Sequence, residues 1–282
     1  MMSTQLGAAT AKRILGAAGP GGSTLLRLGF AALILLVAVR PSVRVGWRTA
    51  GWVLAFGVAM AGMNLSFYTA LTRVPLAVAV TIGFAGPLAV SLAGGRRLLD
   101  VLCAVLAGVG VLLLSGLDGA VSSGSGSGVG GLDPVGLGLC GLLAVCWGGY
   151  VVLGSRLSER APGGAGLALG LTFAALCLLP FCLLPLGLAG SGPALLDPRL
   201  LLLGLAVAVL SSVVPYSAEM AALRRMPAGV FAVLLSLEPA IAAAVGAVLL
   251  GEVLTWSQFL GVGCVVGASI GATWQAARRR RR

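Results

Sequence analysis

Two glutamates stand inside long apolar runs in the stretch SSVVPYSAEMAALRRMPAGVFAVLLSLEPAIAAAVGAVLLGE, residues 211–252. Glu219 lies four residues after Pro215, and Glu238 directly precedes Pro239. An ionised side chain near a bilayer centre costs roughly 2.5 to 3.5 kcal/mol, so such groups face a bundle interior or a wet cavity. A carboxylate there can accept an ammonium group or carry a proton. The bland alternative is a helix-packing hydrogen bond made by a protonated acid, and both readings stand on these residues alone. Prolines 215 and 239 each withhold a backbone N–H and so free a carbonyl nearby, although prolines in membrane helices also serve as simple kinks.

The rest of the chain has to hold those groups at membrane depth. Of 282 residues 59% are hydrophobic and 10% charged, with a mean hydropathy of +1.06. Several apolar runs have the ~20 residues that cross a ~30 Å hydrocarbon core as a helix. They lack the alternation of a transmembrane barrel, so the expected class is an all-α integral membrane protein. The net charge of +11 does not call for nucleic acid, because the basic residues gather at the ends of apolar runs. The chain has no histidine, which removes a Ser-His-Asp triad, an HExxH zinc site and a histidine proton relay. The six cysteines lie inside apolar runs without CxxC spacing and read as packing residues. Neither a metal nor a cofactor is expected, and the absence of an aspartate pair in the runs speaks against an intramembrane hydrolase.

Ten helices are expected. The first, over residues 1–18, is the weakest, carrying Lys12 and Arg13; a GPGG turn signal separates it from a second over 23–39. Arg27 sits in that second helix, near enough to its start to snorkel outward, a reading that stands beside a substrate-facing one. The third (50–71) carries Asn64 and Tyr68, the fourth (75–94) carries Pro87, and the fifth covers 98–115. A Gly/Ser-rich stretch without any basic residue, 117–133, reads as a linker. Helices six to ten are expected over 134–154, 164–186, 200–223, 228–250 and 257–276, before a basic tail at 277–282. Tryptophans near run ends read as interfacial anchors, and Asp100 and Glu252 as helix-end groups.

The two halves repeat. One offset of 152 residues sets Pro75 over Pro227, Pro87 over Pro239 and Asp100 over Glu252, while GPGG at Gly19 lies over APGG at Ala161 at an offset of 142. The halves, 1–116 and 134–276, therefore hold five helices each. An odd number of spans inverts the second half relative to the first, as in many secondary transporters. With the amino terminus inside, fourteen basic residues fall on the inner side and four on the outer, so both termini are expected in the cytoplasm. The first half has no counterpart for most of 134–145, about 12 residues or roughly 18 Å of helix. From that gap we expect a start upstream of Met1 or a shortened first helix.

With those features in hand, LGAATAKRIL, LRLGFAALILL, GMNLSFYTAL, GPLAV, PYSAEM, LEPAIAA and LLGE resemble the EamA family of drug/metabolite transporters. Within it the likeness is to the RhtA-type threonine/homoserine exporters of bacterial inner membranes, and it covers nearly the whole chain. The resemblance implies export of small amino acids, exchanged against protons. It also shows a departure, since Gly83 stands where similar exporters often carry a glutamate.

An exported amino acid presents an ammonium and a carboxylate, so the site needs an acceptor for one and a cation or helix-end donors for the other. The expected site lies between the halves and uses Glu219, Glu238, Tyr216, Asn64, Tyr68 and Arg27, with helix breaks at Pro87, Pro215 and Pro239. A carboxylate withdrawn from water binds protons more readily, which would let a glutamate trade its proton for the ammonium. The expected partners are an amino acid, protons and the lipid bilayer, without nucleic acid. A transporter for another small solute and a non-transporting membrane scaffold remain the alternatives. Buried glutamates argue against the scaffold, whose mark would be an apolar interior.

Overall fold

The computed structural model describes residues 2–41, 47–93, 98–115, 133–160, 164–183, 197–215, 237–252 and 254–279. All regular structure among them is helical: α1 (Met2–Val39), α2 (Trp47–Ala70), α3 (Leu76–Ala93), α4 (Leu98–Ser115), α5 (Pro134–Arg160), α6 (Ala165–Leu183), α7 (Pro198–Ala208), α8 (Glu238–Leu250) and α9 (Trp256–Arg279), with a π-helical turn at Val209–Val213. Expectations for the linker and for residues 216–236, including Tyr216 and Glu219, lie outside the described residues.

The GPGG signal is a real break. Gly19 has φ 67° and ψ 170°, a conformation only glycine adopts readily, and it divides α1 into two arms. Pro20 then opens the second arm, where a missing N–H does no harm. The arms fold back on each other. A methyl on Gly7 would lie 2.6 Å from the Ser211 Cβ, while Arg27 on the other arm also reaches Ser211. Two contacts with one residue from either side of Gly19 require a hairpin.

Asp-Pro pairs start two further helices. Asp133 accepts the Val135 N–H at 3.0 Å and Asp197 the Arg199 N–H at 2.9 Å, each ahead of a proline in the first turn. Thr255 and Gln258 cap α9 reciprocally, with N–H to side-chain distances of 3.1 and 3.3 Å. α5 runs to Arg160, beyond the expected end at 154. Its last turn is polar, and the helix outlasts the hydropathy because the Arg156 and Arg160 guanidinium groups lie over the Trp52 ring at 5.8 and 4.7 Å. Trp147 likewise is no end anchor: it sits mid-helix in α5, edge-to-face with Phe84 at 5.9 Å.

Packing follows two clusters. One gathers Ala8, Ala11 and Leu15 of α1 with Tyr68 of α2, Leu71 just past its end, Leu76, Val78, Val80 and Ile82 of α3, and Ala242 and Val245 of α8. The other joins the second arm of α1 to the first half of α2 and to α6. Close approaches use glycine where backbone meets backbone. Gly86 lets α3 lie against the Ala144 carbonyl of α5, and a methyl on Gly110 of α4 would meet the Gly261 carbonyl of α9 at 2.8 Å. The other faces are apolar too. On α4, Val101, Leu102, Val105, Leu106, Val109 and Leu112 form an exposed stripe, the surface a helix presents to lipid. Three spans are long and apolar enough to cross a membrane: 18–39, 49–70 and 134–157; the other apolar helices among the described residues are shorter.

Candidate functional site

Arg27 lies two turns past the Gly19 break, on the arm that packs beside the π-turn. Each of its three guanidinium nitrogens donates once, which leaves one N–H on Nη1 and one on Nη2. Nε donates to Ser212 Oγ at 3.2 Å, Nη2 to the Ser211 carbonyl at 3.0 Å, and Nη1 to the Tyr68 hydroxyl at 3.4 Å, with the Tyr68 ring 5.8 Å away. Every one of these acceptors is neutral. Among the described residues no carboxylate touches Arg27; the ion pair they contain is Arg73–Asp133, at the exposed end of α5. The side chain does not snorkel outward.

Tyr68 is fully buried, and Asn64 sits one turn before it on the same face of α2. Asn64 spends its amide on the Met60 carbonyl at 2.8 Å, within its own helix. Ser211 points its hydroxyl back to the Val207 carbonyl at 2.6 Å, which leaves its own carbonyl for Arg27. Ser23, one turn ahead of Arg27 and 1% exposed, is the buried hydroxyl without a partner among the described residues.

Glu238 opens α8 and is 8% exposed, with Pro239 in the same first turn. A carboxylate at a helix N-terminus faces unpaired N–H groups, where negative charge is best tolerated. It is not among the contacts of Arg27. The structure thus brings together Arg27 and Tyr68, with Asn64 one turn away, and sets Glu238 at a separate buried helix end. Pro87 lies inside α3, which runs on through it, whereas Pro215 ends the described part of its helix just after the π-turn. Ser211 and Ser212 are the site residues that the sequence reading missed. A signal for them existed: a serine pair in an apolar run, four and three residues before a proline.

The sequence matches the EamA-like transporter family over residues 134–274. It is similar to the threonine/homoserine exporter RhtA of Escherichia coli (strain K12), 39% identical over 274 residues, 97% of this chain and 88% of that one. The exporter of the same name from Salmonella typhimurium (strain SL1344) is 38% identical over the same shares. A solved protein structure 20% identical covers 98% of this chain and 94% of its own with a TM-score of 0.54, a likeness of fold alone.

Proposed function

This chain belongs to the EamA-like transporter family, and on that premise we propose that it exports small amino acids of the threonine/homoserine kind across a bacterial inner membrane in exchange for protons. The observation that carries the reading is Arg27. A guanidinium on an apolar helix, held by neutral acceptors, has its hydrogen bonds but, among the described residues, no counter-charge. A carboxylate would supply the charge in bidentate geometry. An amino acid brings that carboxylate with it.

The ammonium of the same substrate needs an acid, and Glu238 and Glu219 are the candidates, with Tyr216, Tyr68 and Asn64 as neutral contacts. Glu238 is buried in the first turn of α8, and a carboxylate there can hold either a proton or the substrate ammonium. Competition of the two for one carboxylate couples outward substrate movement to inward proton movement.

The architecture belonging to this reading is two inverted five-helix repeats, 1–116 and 134–276, joined by the 117–133 linker, with both termini cytoplasmic. It is supported by contacts between ends assigned to one side: Arg73 with Asp133, Leu76 with Glu252, and Val39 with Gly164. The test is amino-acid efflux from cells overproducing the protein, with Arg27→Gln and Glu238→Gln beside the wild type and membrane abundance measured separately. Loss of efflux at unchanged abundance is expected for both. Full efflux by both variants would remove the site, and no efflux of any amino acid by the wild type would remove the function.

A further inference from the structure

The π-turn and Pro215 together account for why Arg27 finds a backbone acceptor at all. Across Val209–Val213 the hydrogen bonds shift from the i−4 to the i−5 carbonyl, and the Val214 N–H accordingly donates to the Val209 carbonyl. The next N–H would belong to residue 215. In the α register it would go to the Ser211 carbonyl, and in the π register to the Leu210 carbonyl. Residue 215 is proline and has no N–H to give. Both carbonyls are taken instead by the two arms of α1. Ser3 Oγ donates to Leu210, and Arg27 Nη2 donates to Ser211 at 3.0 Å. Both recipients lie in an apolar setting, where an unpaired carbonyl is costly, so the external donors are drawn in.

We propose that Pro215 is a positioning residue for Arg27: by withholding one N–H it keeps the Ser211 carbonyl open, and that carbonyl with Ser212 Oγ fixes the guanidinium plane toward a substrate carboxylate. This differs from a kink, which would act on the shape of its own helix. Pro215 acts on a side chain of α1, six helices earlier in sequence order, through one hydrogen bond. The substrate part of the inference rests on the export reading above; the link between Pro215 and Arg27 does not.

The experiment is a double-substitution cycle with Pro215→Ala and Arg27→Lys. Alanine restores the N–H as a competitor for Ser211. Lysine keeps a cation but has no planar fork to span Ser211 and Ser212 together. In proteoliposomes, Pro215→Ala is expected to raise the KM for the exported amino acid roughly tenfold, the scale of a lost hydrogen bond to a charged group, with the maximal rate little changed. In the Arg27→Lys background the same substitution is expected to add almost nothing. An equal increment in both backgrounds, or none in either, would overturn the proposal. Thermal unfolding of the four purified proteins gives a readout independent of transport, in which the two substitutions are expected to be non-additive. If the wild type exports no amino acid, the function above fails while the thermal cycle still decides the link. Additive thermal shifts would sink the link itself.

Discussion

Arg27 could be read two ways from its position, because eight residues past a helix break a long basic side chain can either snorkel out or turn in. Three acceptors decide it inward, and two of them, Ser211 and Ser212, are 184 and 185 residues away in sequence. The fork geometry also makes a graded expectation. Arg27→Lys keeps the charge and loses the fork, so amino-acid efflux is expected to fall at least roughly tenfold, since one ammonium cannot hold two acceptors and a carboxylate in a plane. Efflux equal to wild type would show that charge alone suffices. Ser23 is the converse case. Its buried hydroxyl has no partner among the described residues, so Ser23→Ala is expected to leave the unfolding temperature unchanged or slightly raised. A clear drop would mean that the hydroxyl is satisfied in the folded protein.

At the scale of elements, Glu252 acts as a cap for a helix other than its own. Gly251, at φ 65°, ends α8 in a left-handed turn, and the Glu252 N–H returns to the Gly246 carbonyl at 3.1 Å. That fixes the backbone, and the carboxylate then accepts the Leu76 N–H of α3 at 2.9 Å. The end-group role expected for Glu252 thus extends across the α3–α8 contact; the side chain of Asp100, its partner by the 152 offset, lies outside the described residues. Glu252→Ala is expected to destabilise by about 1 kcal/mol, the usual value of a lost N-terminal cap. Gly246→Ala should act in the same direction, since its methyl would meet the Glu252 oxygen at 2.6 Å. Unfolding of both variants in detergent checks this. The exposed end of α5 adds a pH dependence. Hydrogen bonding from the Arg73 guanidinium, and then from the Val135 N–H, holds the Asp133 carboxyl below its ordinary value of 3.8. A lowered carboxylate stabilises above that ordinary value and loses its contribution as pH falls through the lower folded one. The difference between wild type and Asp133→Asn is therefore expected to be small near neutrality and to vanish in acid. A difference that grew in acid would contradict the sign.

For the whole molecule, the fourteen-to-four distribution of basic residues predicts the tail, 278–282, in the cytoplasm and the linker, 117–133, outside. Single cysteines at Gly124 and Arg280, in a background without the six native ones, should react with an impermeant reagent from outside only at 124. Labelling of the tail from outside would reverse the orientation. Contacts between helix ends fit the alternation of spans that this topology requires. Arg73 reaches Asp133, and the second arm of α1 ends beside the start of α6 at Gly164.

Sequence by itself determined the class of the molecule and most of its helices, since apolar length, capping residues and Gly-Pro punctuation are local quantities. The α4 bounds, the GPGG break and the start of α5 are all readable that way. It also marked Arg27, Tyr68, Asn64 and Glu238 as groups too polar for their surroundings. What it left open was which of them meet, and the end of α5. Both depend on contacts between distant segments: stacking on Trp52 extends a helix beyond its hydropathy, and a proline at 215 frees a carbonyl whose taker comes from α1. A missing N–H is visible in one letter of sequence. The donor that replaces it is fixed only by the fold, because the penalty for an unpaired buried carbonyl is relieved by whichever donor the packing brings within reach.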